Sequence, residues 1–153
     1  MKYGCLFAVK DINTARVFYE ELFDLTVVDD FGRNIVFDCG LSLQQDFDWL
    51  TGIPKADMKD KENNCEIFFE AEDFDVFVAK IKARDSVVFL HDVLEYPWGQ
   101  RAIRFYDLDN HLIEVGENMK SVVEKFQARG MSIEEIAKSM DVTASDVLRM
   151  LEQ

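Results

Sequence analysis

The chain is poor in histidine, in cysteine pairs, in positive charge and in long apolar runs. Two histidines among 153 residues, His91 and His111, leave little imidazole for a zinc, nickel or iron centre. Three cysteines (Cys5, Cys39, Cys65) are odd in number and show no Cys-x-x-Cys spacing. That argues against a disulfide framework and fits a reduced, cytoplasmic protein whose cysteines act as small apolar residues. No apolar run approaches the roughly 20 residues of a membrane span. Met1-Lys2-Tyr3 leads straight into a strand-like segment, so no signal peptide is expected. Seventeen Lys and Arg stand against thirty Asp and Glu, a net charge of −13. Such a surface repels nucleic acid and anionic membrane and favours cationic ligands.

What is present is a globular chain, 48% hydrophobic, long enough for one ordinary core or one domain with a small appendage. Lys2 to Lys10 reads as a strand, and Asp11 can cap the helix that follows. In that helix Ala15, Phe18, Tyr19 and Leu22 recur at three- and four-residue spacing. Phe23-Asp24 ends it, and strands follow at Leu25 to Val28, Ile35 to Cys39 and Leu41 to Gln45. Gln45 to Asn64, with Gly52, Pro54 and a charged tract, reads as a linker with a short helical turn at Asp46 to Leu50. The same order then returns. Cys65 to Ala71 is a strand, Asp73 to Ala83 a helix with Phe74, Phe77, Val78 and Ile81 on one face, and Val87 to Leu90 a strand. Two copies of one unit, at about 1 to 45 and 65 to 117, thus lie about 60 to 70 residues apart. Pairing them would give a curved sheet around a cavity, with helices outside.

The last hairpin is Trp98 to Glu117. Arg101 to Tyr106 reads as a strand, Asp107-Leu108-Asp109-Asn110 as turn chemistry, and His111 to Val115 as the returning strand. Glu114 is the odd residue, a carboxylate within Leu112-Ile113-Glu114-Val115. Either it faces water, or it needs a metal, a cation or a solvated cavity. A three-residue turn puts Arg104 opposite Glu114, whereas a four-residue turn puts Ile103 there. His111 should point away from Glu114, and His91 falls in a loop beyond Leu90.

Ala8-Val9-Lys10-Asp11 with Phe18-Tyr19, and Trp98-Gly99 with Asp107 to Glu114, make the chain resemble the vicinal oxygen chelate superfamily. That superfamily includes glyoxalase I, bleomycin-resistance proteins and extradiol dioxygenases. The resemblance covers residues 1 to 118. Leu108 and Asn110 depart from the usual Asp-Pro-Asp-Gly turn. It implies an α+β fold of paired βαβββ modules, forming a curved mixed sheet with a cup-shaped cavity. It also implies a metal held at positions that fall here on Gly4, Gln44, Glu66 and Glu114. Gly4 brings no side chain and Gln44 is a weak ligand, so at most a divalent ion held weakly by Glu66 and Glu114 is expected. Glu66 and Glu114 are the candidate catalytic residues. Arg104, Gln44, Tyr96, Trp98 and Trp49 are the candidate ligand-binding residues. A homodimer is expected, since such cups are often completed across subunits.

From 119 to 153 the texture becomes that of a small helical appendage. Ser121 to Arg129 is helical, and capping boxes at Ser132 and Thr143 open two short helices. The last two resemble a helix-turn-helix, with Asp141 where such motifs usually have Gly. Five basic residues (Lys120, Lys125, Arg129, Lys138, Arg149) meet six acidic ones (Glu124, Glu134, Glu135, Asp141, Asp146, Glu152), a net of −1. DNA recognition calls for more positive charge, so a packing or dimerising role is expected. Three functions remain open. The first is a protein binding a small molecule, without a complete transition-metal site. The second is a divalent-metal lyase or isomerase of the glyoxalase I type. The third is a ligand-responsive DNA-binding regulator.

Overall fold

A computed structural model describes residues 3–152. Met1 and Lys2, the latter at the start of the predicted first strand, lie outside them. The chain divides into two compact units, Met1–Cys65 with Tyr106–Leu112, and Glu66–Phe105 with Ile113–Gln153.

The first unit holds β1 (Cys5–Val9), α1 (Ile12–Phe23), β2 (Val27–Asp30), β3 (Asn34–Phe37) and β4 (Leu41–Gln45). The sheet order is β1-β4-β3-β2. β1 runs parallel to β4, with Phe7 beside Leu43, and β3 is antiparallel to β4, with Ile35 beside Leu43. A parallel pair cannot be joined by a tight turn, so the chain must leave the sheet after β1 and return. Asp11 begins that excursion by capping α1, accepting from the Thr14 amide at 2.7 Å and so satisfying one of the free amides of the first turn. Asp24 ends it in the left-handed conformation, φ 55°. The predicted stripe of Ala15, Phe18, Tyr19 and Leu22 is buried, together with Ile12, Ile35, Phe37 and Leu43. Strand β2 begins two residues later than the sequence pattern suggests, because the apolar Leu25 precedes the paired stretch. The linker carries α2 (Phe47–Thr51), as expected, and one 3-10 turn at Lys55–Asp57.

The second unit repeats the order. β5 (Ile67–Ala71), α3 (Phe74–Lys82), β6 (Val88–Glu95), β7 (Arg101–Tyr106) and β8 (Leu112–Glu117) form a sheet in the order β5-β8-β7-β6. Its first and last strands are again parallel, with Phe68 beside Glu114. Asp73 caps α3 through the Val76 amide. Phe74, Ile81, Ile103, Phe105, Ile113 and Val115 are buried, and Phe77 stacks on Phe105. Strand β6 runs on to Glu95, so His91 lies inside a strand and not in the loop predicted for it. The period-2 signal fades at His91-Asp92, which hid the continuation.

The tail folds as α4 (Met119–Ala128), α5 (Ile133–Met140) and α6 (Ala144–Leu151), with both predicted capping boxes formed. Helices of 8 to 10 residues are marginal alone. These are held by a shared cluster of Val122, Val123, Phe126, Ile136, Ala137, Met140 and Val147. Asp141, at the position of the helix-turn-helix glycine, takes the left-handed conformation with φ 56°. The tail packs against its own unit. Lys125 pairs with Glu117, and Phe126 lies so close to Gly99 that a Cβ there would sit 2.5 Å from the ring. Gly99 also has φ +85°. Gly99→Ala is therefore expected to cost about 1–3 kcal/mol from backbone strain and the clash. Urea unfolding checks this, and an unchanged midpoint would count against the packing described.

Candidate functional site

The turn between β7 and β8 decides what faces Glu114. The Asp107 amide donates to the His111 carbonyl at 3.0 Å, leaving Leu108-Asp109-Asn110 as the loop. Asn110, with φ 71°, supplies the left-handed residue such a loop requires. Counting three residues outward along each strand puts Arg104 opposite Glu114, the three-residue alternative of the sequence reading.

The Arg104 guanidinium is a hub. Its Nε donates to Glu66 Oε2 at 2.8 Å and its Nη2 to Glu66 Oε1 at 3.2 Å. Nη2 also donates to Glu114 Oε2, and Nη1 to the Tyr96 hydroxyl. Side-chain exposure is 19% for Arg104, 10% for Glu114 and 33% for Glu66, so water screens these charges incompletely. Tyr96 stacks flat on Trp98, with ring centroids 4.6 Å apart and planes 3° apart. Trp98 Nε1 donates to Gln100 Oε1 at 3.1 Å. Alternation along β8 explains the arrangement. Ile113 and Val115 are buried in the core, which leaves Glu114 on the other face with its strand partner Phe68.

The two carboxylates do not titrate alike. The Arg104 hydrogen bonds hold Glu66 below the usual glutamate range, and His91 on β6 adds a smaller pull in the same direction. Burial pushes Glu114 above that range. The neighbouring Glu66 pushes it further, and Arg104 opposes both only in part. As pH falls, Glu114 takes the first proton and can donate it to Glu66. The linkage signs differ accordingly. Glu66 stabilises the fold above its ordinary pKa and loses that as pH falls through its lowered value. Glu114 favours the fold below its ordinary pKa and loses that as pH rises through its raised value.

Glu66, Arg104, Glu114, Tyr96 and Trp98 thus come together within the second unit. Gln44 and Trp49 belong to the first. There Gln44 Oε1 accepts from Asn34 Nδ2 at 3.1 Å and Gln44 Nε2 donates to the Gln45 carbonyl at 2.6 Å. Trp49 is exposed, with Arg33 over its ring.

The first unit holds a second constellation that was not legible in the sequence. Asp107 Oδ2 accepts from the Tyr19 hydroxyl at 2.8 Å and meets His111 Nδ1 at 2.8 Å. His111 stacks on Phe7, with centroids 4.1 Å apart. In sequence Tyr19 reads as core and Asp107 as a turn residue, and nothing local connects positions so far apart. The same turn ties back to β1, as Asp109 Oδ1 accepts from the Lys10 amide at 3.0 Å.

A model of the glyoxalase-like domain matches residues 2–120. The chain belongs to the glyoxalase-like domain family. A protein of unknown function from Agrobacterium tumefaciens str. C58 is 31% identical, with a TM-score of 0.66, over 76% of this chain and 94% of that one. A lactoylglutathione lyase from Agrobacterium tumefaciens is 21% identical (TM-score 0.54), over 76% of this chain and 92% of that one. The fosfomycin resistance protein FosX from Listeria monocytogenes is 22% identical (TM-score 0.57), again over 76% and 92%. Both share the fold. No curated protein matches. The domain match and the shared fold agree with the resemblance to the vicinal oxygen chelate superfamily. No helix of the described residues is long and apolar enough to cross a membrane.

For a glyoxalase-like domain the question is whether these residues fit a metal ion. They fit one poorly. Gly4 offers no side chain, and both polar ends of the Gln44 amide are engaged. Between Glu66 and Glu114 sits a guanidinium already bonded to both. A transition metal prefers several strong donors and would have to displace that cation. Among the described residues, no group of three or more His, Cys, Asp and Glu side chains is placed to hold an ion. Replacing Arg104 with Met removes the opposing charge, so the Glu114 pKa is expected to rise further. Carbon-detected NMR titration of the glutamate carboxyls checks this, and an unmoved titration would contradict the pairing.

Proposed function

We propose that this glyoxalase-like protein binds a small molecule at the Glu66–Arg104–Glu114 cluster and that Arg104 takes the place of the family's metal. One observation carries the reading: Arg104 donates to both carboxylates and to Tyr96, so the site's charge is compensated from within. With its donors engaged in this way, the guanidinium is poorly placed to capture an anionic ligand. When both glutamates are ionised the cluster carries one net negative charge, and the chain as a whole carries −13. The exposed part of Trp98, stacked on Tyr96, offers a flat aromatic wall. The ligand best matched to that chemistry is a planar organic cation, held by stacking and by Glu66, the more exposed of the two carboxylates.

The test uses a Trp49→Phe background, so that Trp98 alone reports. Planar cationic dyes are expected to quench Trp98, and Glu66→Gln or Trp98→Ala, both read from the dye's own fluorescence anisotropy, to weaken binding by about tenfold or more. Protein dialysed against chelator should bind as well as untreated protein. A stoichiometric transition metal that survives dialysis, or dye binding unchanged in both variants, would reject the reading.

A second reading treats Glu114 as an acid–base group. It is favoured by the raised proton affinity of Glu114 beside an ionised Glu66. It corresponds to a lyase or isomerase of the glyoxalase I type, and turnover abolished by Glu114→Gln while dye binding persists would support it.

We further propose a homodimer. Phe68, Val88, Leu90 and Leu94 of the second unit are about half exposed, more apolar surface than one small unit needs to show. Light scattering at micromolar concentration should give twice the chain mass, and a clean monomer mass would reject this proposal.

A further inference from the structure

The second constellation sits on a cavity. In the first unit a concavity of about 660 Å³ is walled by Phe7, Phe47, Met58, Leu112 and His111 and roofed by the linker that follows β4. That volume lies in the range of small-molecule sites. The polar geometry at its wall settles the state of one group. Asp107 is buried, and its Oδ1 accepts from the amides of Asp109 (2.9 Å) and His111 (2.8 Å). Its Oδ2 accepts from Tyr19. A carboxylate used as an acceptor this often requires the remaining contact, His111 Nδ1, to be a donor. In the neutral imidazole the hydrogen is therefore on Nδ1, and Nε2 carries the lone pair. No hydrogen bond to Nε2 is formed among the described residues, and the ring is held flat against Phe7.

The rim chooses the ligand's charge. Lys10 lies 3.6 Å from Asp60, Lys55 3.8 Å from Asp48 and Lys59 3.7 Å from Glu62, while Lys61 sits over the Tyr106 ring. The lysines are thus matched by acids or an aromatic face, and Asp109 already accepts from the Lys10 amide. Four lysines meet five acids (Asp46, Asp48, Asp60, Glu62, Asp109) around the lining, and Arg33, 3.5 Å from Asp46, offsets the fifth, which leaves little net charge to pull in an ion. The flat Phe7–His111 wall, the apolar patch of Phe47, Met58 and Leu112 and the acceptor at His111 Nε2 suit a flat, uncharged molecule with a strong donor.

We propose that this cavity binds a neutral planar molecule bearing a hydroxyl or ring N–H, and that His111 Nε2 accepts its hydrogen bond. Asp107 is the positioning residue, because it fixes the tautomer and the ring plane. The proposal makes no use of the Glu66–Arg104–Glu114 cluster, so either can fail without the other.

The experiment is NMR on the full chain with nitrogen-15 in its histidine rings, titrated with a panel of uncharged one- and two-ring phenols and lactams. In the free protein the neutral His111 ring should carry its proton on Nδ1. At least one panel member should shift the Nε2 resonance in a saturable way. His111→Phe keeps a flat ring against Phe7 and removes the acceptor, and it should lower that affinity at least tenfold. A neutral ring protonated on Nε2, no panel member acting on Nε2, or unchanged binding in His111→Phe would each overturn the proposal. The first two readings use the unaltered protein, so they stand whether or not the variant folds.

Discussion

In each sheet the first strand lies parallel to the last, β1 against β4 and β5 against β8. Much else in either unit follows from this pairing. Parallel neighbours need a long crossover, which α1 and α3 provide. It places β5 directly beside β8, so that Phe68 neighbours Glu114 and Glu66 enters the sheet next to the same hairpin. Without that adjacency Arg104 would have one carboxylate to pair with, and Glu114 would lack the neighbour that helps raise its proton affinity.

Charge compensation is the second constraint. Glu114 is 8% exposed and Glu117 is 3% exposed, on strands whose other residues make core. Ions so sheltered must be paired. Glu114 has Arg104. For Glu117, burial raises the pKa, but Arg101 and Lys125 more than offset it, leaving the group below the usual range. The two arginines of β7 thus serve opposite faces of the same hairpin. Arg101 with Asp75 and Lys125 ties the helix layer and tail to β8. Arg104 instead gathers Glu66, Glu114 and Tyr96.

The tail illustrates how weak local preferences add. Its caps and left-handed turn residues set where each helix begins and ends, but helices this short need a partner surface. The buried faces of α4, α5 and α6 supply it through Phe126, Ile136, Met140 and Val147. Phe126 then reaches Gly99, where the absent Cβ leaves room for the ring.

The sequence by itself determined the elements and their repetition, and it singled out Glu114 while leaving its face open. Periodicity, capping residues and turn residues are local, and each acts over a few positions. The predicted stripe of α1 and both capping boxes of the tail follow from such spacing. Extents faded where the pattern did, as at His91, which the sequence leaves in a loop and the structure keeps in β6. Only the tertiary structure decided which distant groups meet. The choice between Arg104 and Ile103 opposite Glu114 hung on one residue of turn length, which neither Asp107 nor Asn110 announces alone. The contact of Glu66 with Arg104 spans 38 positions, and that of Tyr19 with Asp107 spans 88. No local propensity encodes such a distance, because it is set by the parallel strand pairing and by the packing of α1, which exist only once the sheets have formed.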